Sequence, residues 1–387
     1  MTRLLPLVVT LTWTAACFPR PQTPAAAVPV EQVPPAWAPF RNVDDAPHPG
    51  KGGYEWWYYD ALFDDGSSAV MVMWDRMMWQ EGKTWQELVI TDPDGKRHAF
   101  RATLPAGSMK HGPLPADGEL GTFKVVEERL GEGEDAPRRY RLTASAKDES
   151  GTPIALDLTL ESLLPPWRWP RTATVGDTLV MGWSVAMPRG TAMGTLTVGN
   201  TTRTVSGTAY HDHNWGDADF SEHMAYWYWG RATLGDVTLI FAQIHPATDP
   251  LAALKNRSGF PPRDEPGALL YVGRGREHLF QTDAVQITPY QEKYSVKGGR
   301  RRPERLVIRG VHDGAPIHVT LEMEREVEAL DMLERGTNPL VHLLVHDYLA
   351  PAYFRMRSRA HAVFTHAGVT YERTGEGLQE SMYLRVR

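Results

Sequence analysis

The chain has 387 residues, 42% of them hydrophobic and 23% charged, with a formal net charge of −6 at pH 7. This composition excludes an intrinsically disordered protein and provides enough apolar material for about two globular domains. The acidic balance argues against the basic surface that nucleic-acid phosphates attract, so we expect no nucleic-acid partner.

The chain begins with the layout of a secretory signal peptide. A 13-residue apolar run from Leu4 to Ala16 is too short to remain as a membrane-spanning helix. The single cysteine of the chain follows, and Ala15-Ala16-Cys17 resembles the lipobox of bacterial lipoproteins, with Thr14 in place of the preferred aliphatic residue. We therefore predict lipidation at Cys17 and an exported lipoprotein, anchored to the bacterial cell envelope on the periplasmic side. Ordinary signal cleavage beside an incidental cysteine is the alternative.

The remaining sequence predicts a linker followed by an all-β protein. Residues 18–49 are rich in proline and alanine and can bury little surface. From residue 50 onward apolar and polar residues alternate, as in LDLTLE at 156–161, which is typical of half-buried strands. Turn signals such as DDGSS and HDGAP separate these runs, and helical signals are weak. The pattern predicts two β-domains of barrel or sandwich type, residues 50–217 and 218–387.

Three stretches concentrate aromatic and thioether side chains. EWWYYD at 55–60 and AYWYWGRA at 225–232 alternate large rings between the two faces of a strand, and AVMVMWDRMMW at 69–79 adds methionines and another indole. Such faces either pack a core or line a cavity for a flat hydrophobic ligand. Core packing remains the alternative for each ring. As ligand-binding residues we predict Trp56, Tyr58, Trp74, Tyr226 and Tyr228.

YHDHNWGD at 210–217 is the densest polar cluster. On a strand, His211, His213 and Trp215 would share one face, with Asp212 and Asn214 on the other. Two histidines one residue apart can bind a metal, but no third ligand is fixed and no His-Glu-x-x-His or paired-cysteine pattern accompanies them, so we predict no metal. Two interpretations stay open. The cluster performs acid–base catalysis in an apolar cavity, or it forms a buried hydrogen-bond network that closes one end of a barrel.

Together EWWYYD, YHDHNWG and YWYWGRA, in this order and spacing, resemble the carotenoid 1,2-hydratase (hydroxyneurosporene synthase) and AttH-type family. The resemblance covers most of residues 50–387. It implies two tandem lipocalin-like β-barrel domains. In the family's hydratases it implies chemistry without a cofactor, in which a protonated carboxyl group gives a proton to an alkene and water captures the cation. We therefore expect no cofactor and, as partner, a hydrophobic small molecule of the isoprenoid, polyene or polyketide class.

The same resemblance assigns candidate catalytic residues within the central one of these three motifs, YHDHNWG at 210–216. His213 and Trp215 match the active-site pair of the motif, and Asp212 and His211 lie beside them. We predict these four residues as catalytic. Surrounding aromatic faces would stabilise a cationic intermediate.

Two positions depart from the family pattern. The resemblance implies a tyrosine and an aspartate on the strand after the Trp-x-Trp-Gly-Arg segment, whereas here Phe241 and Gln243 occupy those places and are predicted to contact the ligand. A glutamine cannot protonate an alkene. Asp212, or with less support Glu55 or Asp60, would then supply the acid. The sequence predicts hydration, isomerisation or cyclisation at a C=C bond, with a non-catalytic carrier of a hydrophobic ligand as the alternative.

Overall fold

The computed structural model describes residues 45–48, 53–77, 83–133, 136–169, 173–175, 178–217, 224–246, 267–332 and 351–384. All of them belong to one compact unit, Pro34–Arg387. The predicted signal peptide, most of the predicted linker and Cys17 lie outside the described residues, so lipidation stays a prediction.

Every regular element in the described residues is a β-strand. The strands are β1 (Tyr54–Phe63), β2 (Ser68–Arg76), β3 (Thr84–Thr91), β4 (Arg97–Leu104), β5 (Lys110–His111), β6 (Gly118–Leu120), β7 (Phe123–Arg129), β8 (Arg138–Lys147), β9 (Pro153–Ser162), β10 (Trp167–Arg168), β11 (Ala173–Val175), β12 (Thr178–Val198), β13 (Thr201–Gly216), β14 (Met224–Leu234), β15 (Val237–Pro246), β16 (Gly267–Arg274), β17 (Glu277–Thr282), β18 (Val285–Tyr290), β19 (Lys293–Ser295), β20 (Arg300–Arg302), β21 (Arg305–His312), β22 (Ala315–Asp331), β23 (Ala352–His366) and β24 (Val369–Tyr383).

Strands β1 to β13 form the first sheet. Its order is β4-β3-β2-β1-β13-β12-β9-β8-β7-β6-β5, and β10 and β11 pair with β12. Gly66, in the DDGSS turn between β1 and β2, has φ 86°, a conformation that side chains disfavour. The sheet curls far enough to bring β4 close to the end of β8, where the N–H of Glu149 donates to the carbonyl of Ala99 at 3.1 Å. Its interior holds a hydrophobic cluster that includes Trp57 and Met71.

The second sheet contains β14 to β18 and β21 to β24, in the order β17-β16-β15-β14-β24-β23-β22-β21-β18. The side chain of Gln243 on β15 bonds to the backbone of β18, the strand at one edge of the same sheet. Its Oε1 accepts the N–H of Ile287 at 2.6 Å and its Nε2 donates to the Ile287 carbonyl at 3.2 Å. The interior is apolar, with Phe241 and Phe354 fully buried. Strands β19 and β20 form a separate hairpin sheet.

The prediction of an all-β fold is confirmed for the described residues. Alternation of apolar and polar residues is visible in the burial of β9, whose inward leucines are buried and whose intervening residues are partly or fully exposed. Within the part of the chain that the structure covers, no helix is long and apolar enough to cross a membrane.

The outer faces of the two sheets pack against each other. A hydrophobic cluster joins Trp183 and Tyr210 of the first sheet to Ile240 and Tyr271 of the second. Ion pairs cross this contact, and a buried one joins Asp60 on β1 to Arg231 on β14. The packing therefore brings β1, β12 and β13 against β14, β15 and the end of β24.

Candidate active site between the two sheets

A cavity of about 100 Å³, partly open to solvent, lies where the outer faces of the two sheets meet. Its walls are the outward positions of β1, β12 and β13 on one side and of β14, β15 and β24 on the other, as the two-residue period of a strand requires. The lining is mostly indole and aliphatic, with one amide and two carboxyl groups. It consists of Trp56, Tyr58, Met181, Trp183, Asp212, Asn214, Trp227, Trp229, Ala242, Ile244 and Glu380.

Three donors hold Asp212 on the cavity wall. Its Oδ2 accepts the hydroxyl of Tyr210 at 2.7 Å and the indole N–H of Trp183 at 3.0 Å, and its Oδ1 accepts the amide of Asn214 at 2.9 Å. Burial raises the pKa of Asp212, and the bonds from Tyr210 and Trp183 oppose this only in part, so that the pKa is about 7. Near neutral pH this carboxyl can both carry a proton and release it.

Glu380 brings a second carboxyl to the same cavity, from the opposite wall. Its Oε1 lies 2.8 Å from both Nε and Nη2 of Arg355. Burial raises the pKa of Glu380, while Arg355 and Tyr353 favour the charged form. The two carboxyls therefore differ in their surroundings, because Asp212 accepts hydrogen bonds from uncharged donors whereas Glu380 is ion-paired. Such differences separate the roles of acid and base in a site.

Aromatic rings form most of the apolar lining. Trp56 stacks on Trp74 with ring centroids 4.4 Å apart, so Trp74 supports a lining residue from behind. Trp229 meets the rings of Tyr58 and Tyr210 edge-on, at 6.2 and 5.3 Å. Ring faces suit a flat apolar ligand and can stabilise a positive charge that develops on it.

His211 faces the interior of the first sheet, on the opposite face from Asp212. Its Nδ1 donates to the carbonyl of Tyr58 at 2.9 Å, its Nε2 lies 3.2 Å from Oδ1 of Asp45, and its ring stacks on Tyr59 at 4.0 Å. Burial lowers the pKa of His211, but the Asp45 carboxylate, the Tyr58 carbonyl and Asp212 together outweigh burial and leave the pKa above its usual value. His211 thus fastens the segment before β1 to the central motif.

His213 also points into the first sheet. Its Nε2 lies 3.1 Å from Oε1 of Glu55, and its ring stacks between Trp57 and Trp215, with centroids 4.4 and 4.8 Å away. The backbone of β13 separates this group from Asp212. The structure therefore brings one of the four predicted catalytic residues, Asp212, to the cavity and places the other three inside the first sheet.

Four predicted ligand-binding residues face the interior of the second sheet. Within this group, Tyr226 stacks on His245 at 3.9 Å and Gln243 donates to the same imidazole at 2.6 Å. Burial lowers the pKa of His245 to about 4, so the neutral ring can accept that bond. The predicted ligand contacts Trp56 and Tyr58, by contrast, line the cavity. The four interior residues are Tyr226, Tyr228, Phe241 and Gln243.

Several wall residues were missed by sequence reasoning. Trp227 and Trp229 alternate with the predicted tyrosines in AYWYWGRA. The two-residue period separates the two faces of the strand but does not determine which face contacts the other sheet. Trp183 lies on the long strand β12, whose register shifts between Ser184 and Met187 and so changes which residues face outward. No local motif marks Glu380.

The cavity offers few groups that could hold a metal ion. Of its two carboxyls, Glu380 is already paired with Arg355. Among the described residues, neither His211 nor His213 belongs to a group of three side chains that could share an ion. Their nitrogens are directed instead at Asp45, Glu55 and the Tyr58 carbonyl.

The sequence profile of a family described as a domain of unknown function, DUF7064, matches residues 41–265, more than half of the chain. The chain belongs to the DUF7064 family. The range that matches DUF7064 contains the first sheet and strands β14 and β15, and so every residue of the cavity wall except Glu380.

Comparison with curated proteins relates this DUF7064 chain to a fungal protein. The quinolone epoxide rearrangement protein asqO of Emericella nidulans is 24% identical over 208 residues. The match spans 51% of the DUF7064 chain and 56% of asqO, so the chain covers only about half of the relative's length.

Solved structures share the architecture of the DUF7064 chain over most of its length. An AttH-like protein of Nitrosomonas europaea covers 95% of the chain and is itself covered completely, with 19% identity and a TM-score of 0.59. CghA, solved with Sch210972, has 13% identity, a TM-score of 0.56 and coverage of 86% and 89%. Kievitone hydratase of Nectria haematococca has 14% identity, a TM-score of 0.53 and coverage of 90% and 94%. The predicted lipocalin-like, AttH-type fold is confirmed.

Proposed function

We propose that this DUF7064 protein binds an apolar molecule with a C=C bond between its two sheets and catalyses hydration, isomerisation or cyclisation of that bond without a cofactor. One observation carries the proposal. Asp212, a buried carboxyl bonded to uncharged donors, lies on the wall of a cavity lined by indoles. Because burial raises the pKa of Asp212 to about 7, a large fraction of this carboxyl is protonated at neutral pH, and the protonated form is the acid that such chemistry needs.

The proposed reaction begins with proton transfer from Asp212 to one alkene carbon. The π electrons form the new C–H bond, and the neighbouring carbon becomes a cation that the indole faces stabilise. In hydration, water adds its oxygen to the cation and releases a proton, which Glu380 on the opposite wall or the Asp212 carboxylate can accept. In isomerisation, a carbon next to the cationic carbon instead gives a proton to the Asp212 carboxylate, and the electrons of that C–H bond form a new double bond.

The size of the cavity limits the substrate. A cavity of roughly 150 Å³ accommodates a benzene ring, and this one has about 100 Å³ with one side partly open. It therefore suits a terminal isoprene unit or the edge of a ring, with the rest of the molecule extending through the opening. Isoprenoid and polyketide-like molecules meet this requirement, and a carotenoid would enter only by its end.

The names of the relatives support a catalytic role. One is a hydratase and another a quinolone epoxide rearrangement protein. The alternative, a non-catalytic carrier of the same ligands, is supported by the absence of an acid at Phe241 and Gln243, which serve the core and the edge of the second sheet.

The proposal is tested with a panel of prenylated phenols and monoterpenes, monitored by mass spectrometry. We expect addition of water, a shifted double bond or a new ring, and in D2O the uptake of deuterium at carbon. The rate should fall as the pH rises through about 7, because the active form of Asp212 is the protonated acid and its pKa is about 7. Binding without any conversion across the panel would establish the carrier.

Export and anchoring form a separate part of the proposal. We expect the Cys17→Ser variant to move from the membrane fraction to the soluble fraction, because this chain has one cysteine to acylate. Fractionation of cells expressing both forms measures this. A Cys17→Ser variant that stays with salt-washed membranes would contradict lipidation at this site.

A further inference from the structure

Two hairpin tips meet at one end of the second sheet, away from the cavity. His312 ends β21 and is followed by the turn residue Asp313, and His366 ends β23. Strand β22 lies between them, and its register with β23 pairs His318 with Val363, which brings residues 312 and 366 to the same end. Three side chains with nitrogen or oxygen donors therefore converge from two turns.

The distances between these donors match a metal-binding geometry. Nε2 of His312 lies 3.3 Å from Nδ1 of His366 and 3.2 Å from Oδ2 of Asp313. Two nitrogens bound to zinc at about 2.0–2.1 Å with a tetrahedral angle are about 3.3 Å apart. All three donor atoms lie within 4.8 Å of one another. A small movement of the Asp313 carboxylate would therefore place its oxygen at binding distance from an ion held by the two histidines.

We propose that His312, Asp313 and His366 bind a divalent transition metal, of which zinc is the best fit, through two imidazoles and one carboxylate. The fourth position is left for water or an external ligand. Mixed nitrogen and oxygen donors suit zinc and the neighbouring late first-row metals. This site is independent of the proposed cavity chemistry, since none of the three residues lines that cavity.

The two imidazoles are held in place before any ion arrives. Phe280 stacks on the ring of His312 with centroids 3.8 Å apart and planes 7° apart, and on the ring of His366 at 5.6 Å and 22°. The histidine rings are themselves nearly parallel, at 18°. The Asp313 side chain is 77% exposed and free to turn toward the ion. Packing that fixes ring orientation lowers the ordering cost of binding a metal.

A direct hydrogen bond between the two imidazoles would give the same 3.3 Å separation. That alternative needs neither Asp313 nor an ion, so metal titration separates the two. A bound metal would also tie two hairpins together, and binding to the folded state alone raises the melting temperature.

The test uses the tag-free full-length chain, titrated with Zn²⁺ by calorimetry and with Co²⁺ by visible absorption. We expect one equivalent to bind with micromolar affinity, the absorption of tetrahedral cobalt, and a melting temperature that rises with zinc. His312→Gln and His366→Gln should each weaken binding at least tenfold and abolish the thermal shift. His361→Gln is the matched control, because this histidine of the same sheet pairs with Glu372, which is not one of the three proposed ligands.

Two results would contradict this metal site. If the His312→Gln/His366→Gln double variant binds zinc and cobalt as the wild type does, the metal lies elsewhere in the chain. If the wild type binds neither ion above the level of that double variant, the pair of histidines is a hydrogen-bonded pair only.

Discussion

Replacing Asp212 by asparagine should reduce turnover by about a hundredfold or more and leave ligand affinity and fold nearly unchanged. The variant removes the proton that the proposed mechanism transfers. Turnover on any substrate found in the panel, and binding of a fluorescent polyene, measure the two effects separately.

The hydrogen bonds around residue 212 explain why this variant should fold. The oxygen of an asparagine can still accept the bonds from Tyr210 and Trp183, which both go to Oδ2 of Asp212. Its amide would replace Oδ1, and Asn214 can rotate its own amide to present the oxygen. The network therefore keeps three hydrogen bonds without a buried acid.

The pH dependence of the free energy of unfolding gives an internal control for this experiment. Because folding raises the pKa of Asp212 to about 7, its contribution to stability is fully present below the unfolded pKa, near 4, and is lost as the pH rises through 7. Asp212→Asn should lack this loss, so the variant should gain stability relative to wild type between pH 4 and 7. A variant that melts much earlier at pH 7 while retaining full turnover would show that Asp212 serves only the fold.

Replacing Arg231 by methionine should destabilise the protein by about 3–5 kcal/mol, because it leaves the Asp60 carboxylate buried without its partner. Nε of Arg231 lies 3.3 Å from Oδ2 of Asp60, and Nη2 contacts Oδ1. Both side chains are nearly inaccessible, at 5% and 1% exposure. Denaturant unfolding followed by tryptophan fluorescence measures the loss.

Two variants decide whether the unpaired charge causes this loss. Asp60→Asn combined with Arg231→Met removes both charges and keeps an oxygen for the hydroxyl of Tyr58, which donates to Asp60 at 3.0 Å, so much of the stability should return. Arg139→Met is the surface control. Arg139 is 37% exposed and pairs with Glu128 and Glu161, and its loss should cost no more than about 1 kcal/mol. A double variant as unstable as Arg231→Met alone would assign the effect to lost packing.

The sequence by itself determined the fold class and the sidedness of the central motif. Alternating residues predict strands because successive side chains of a strand point to opposite faces. The same period predicted that His211 and His213 would face away from Asp212, as the structure shows. These properties are local, since they depend on neighbours in the chain.

Only the tertiary structure decided which partners those side chains meet. Asp45, which pairs with His211, is 166 positions away along the chain, and Glu380 reaches the Asp212 cavity from the last strand. Trp229 faces that cavity, while Tyr228, one residue before it, fills the second sheet's interior. Periodicity groups residues by face, but the assignment of a face to a core or to a cavity depends on how two distant sheets pack.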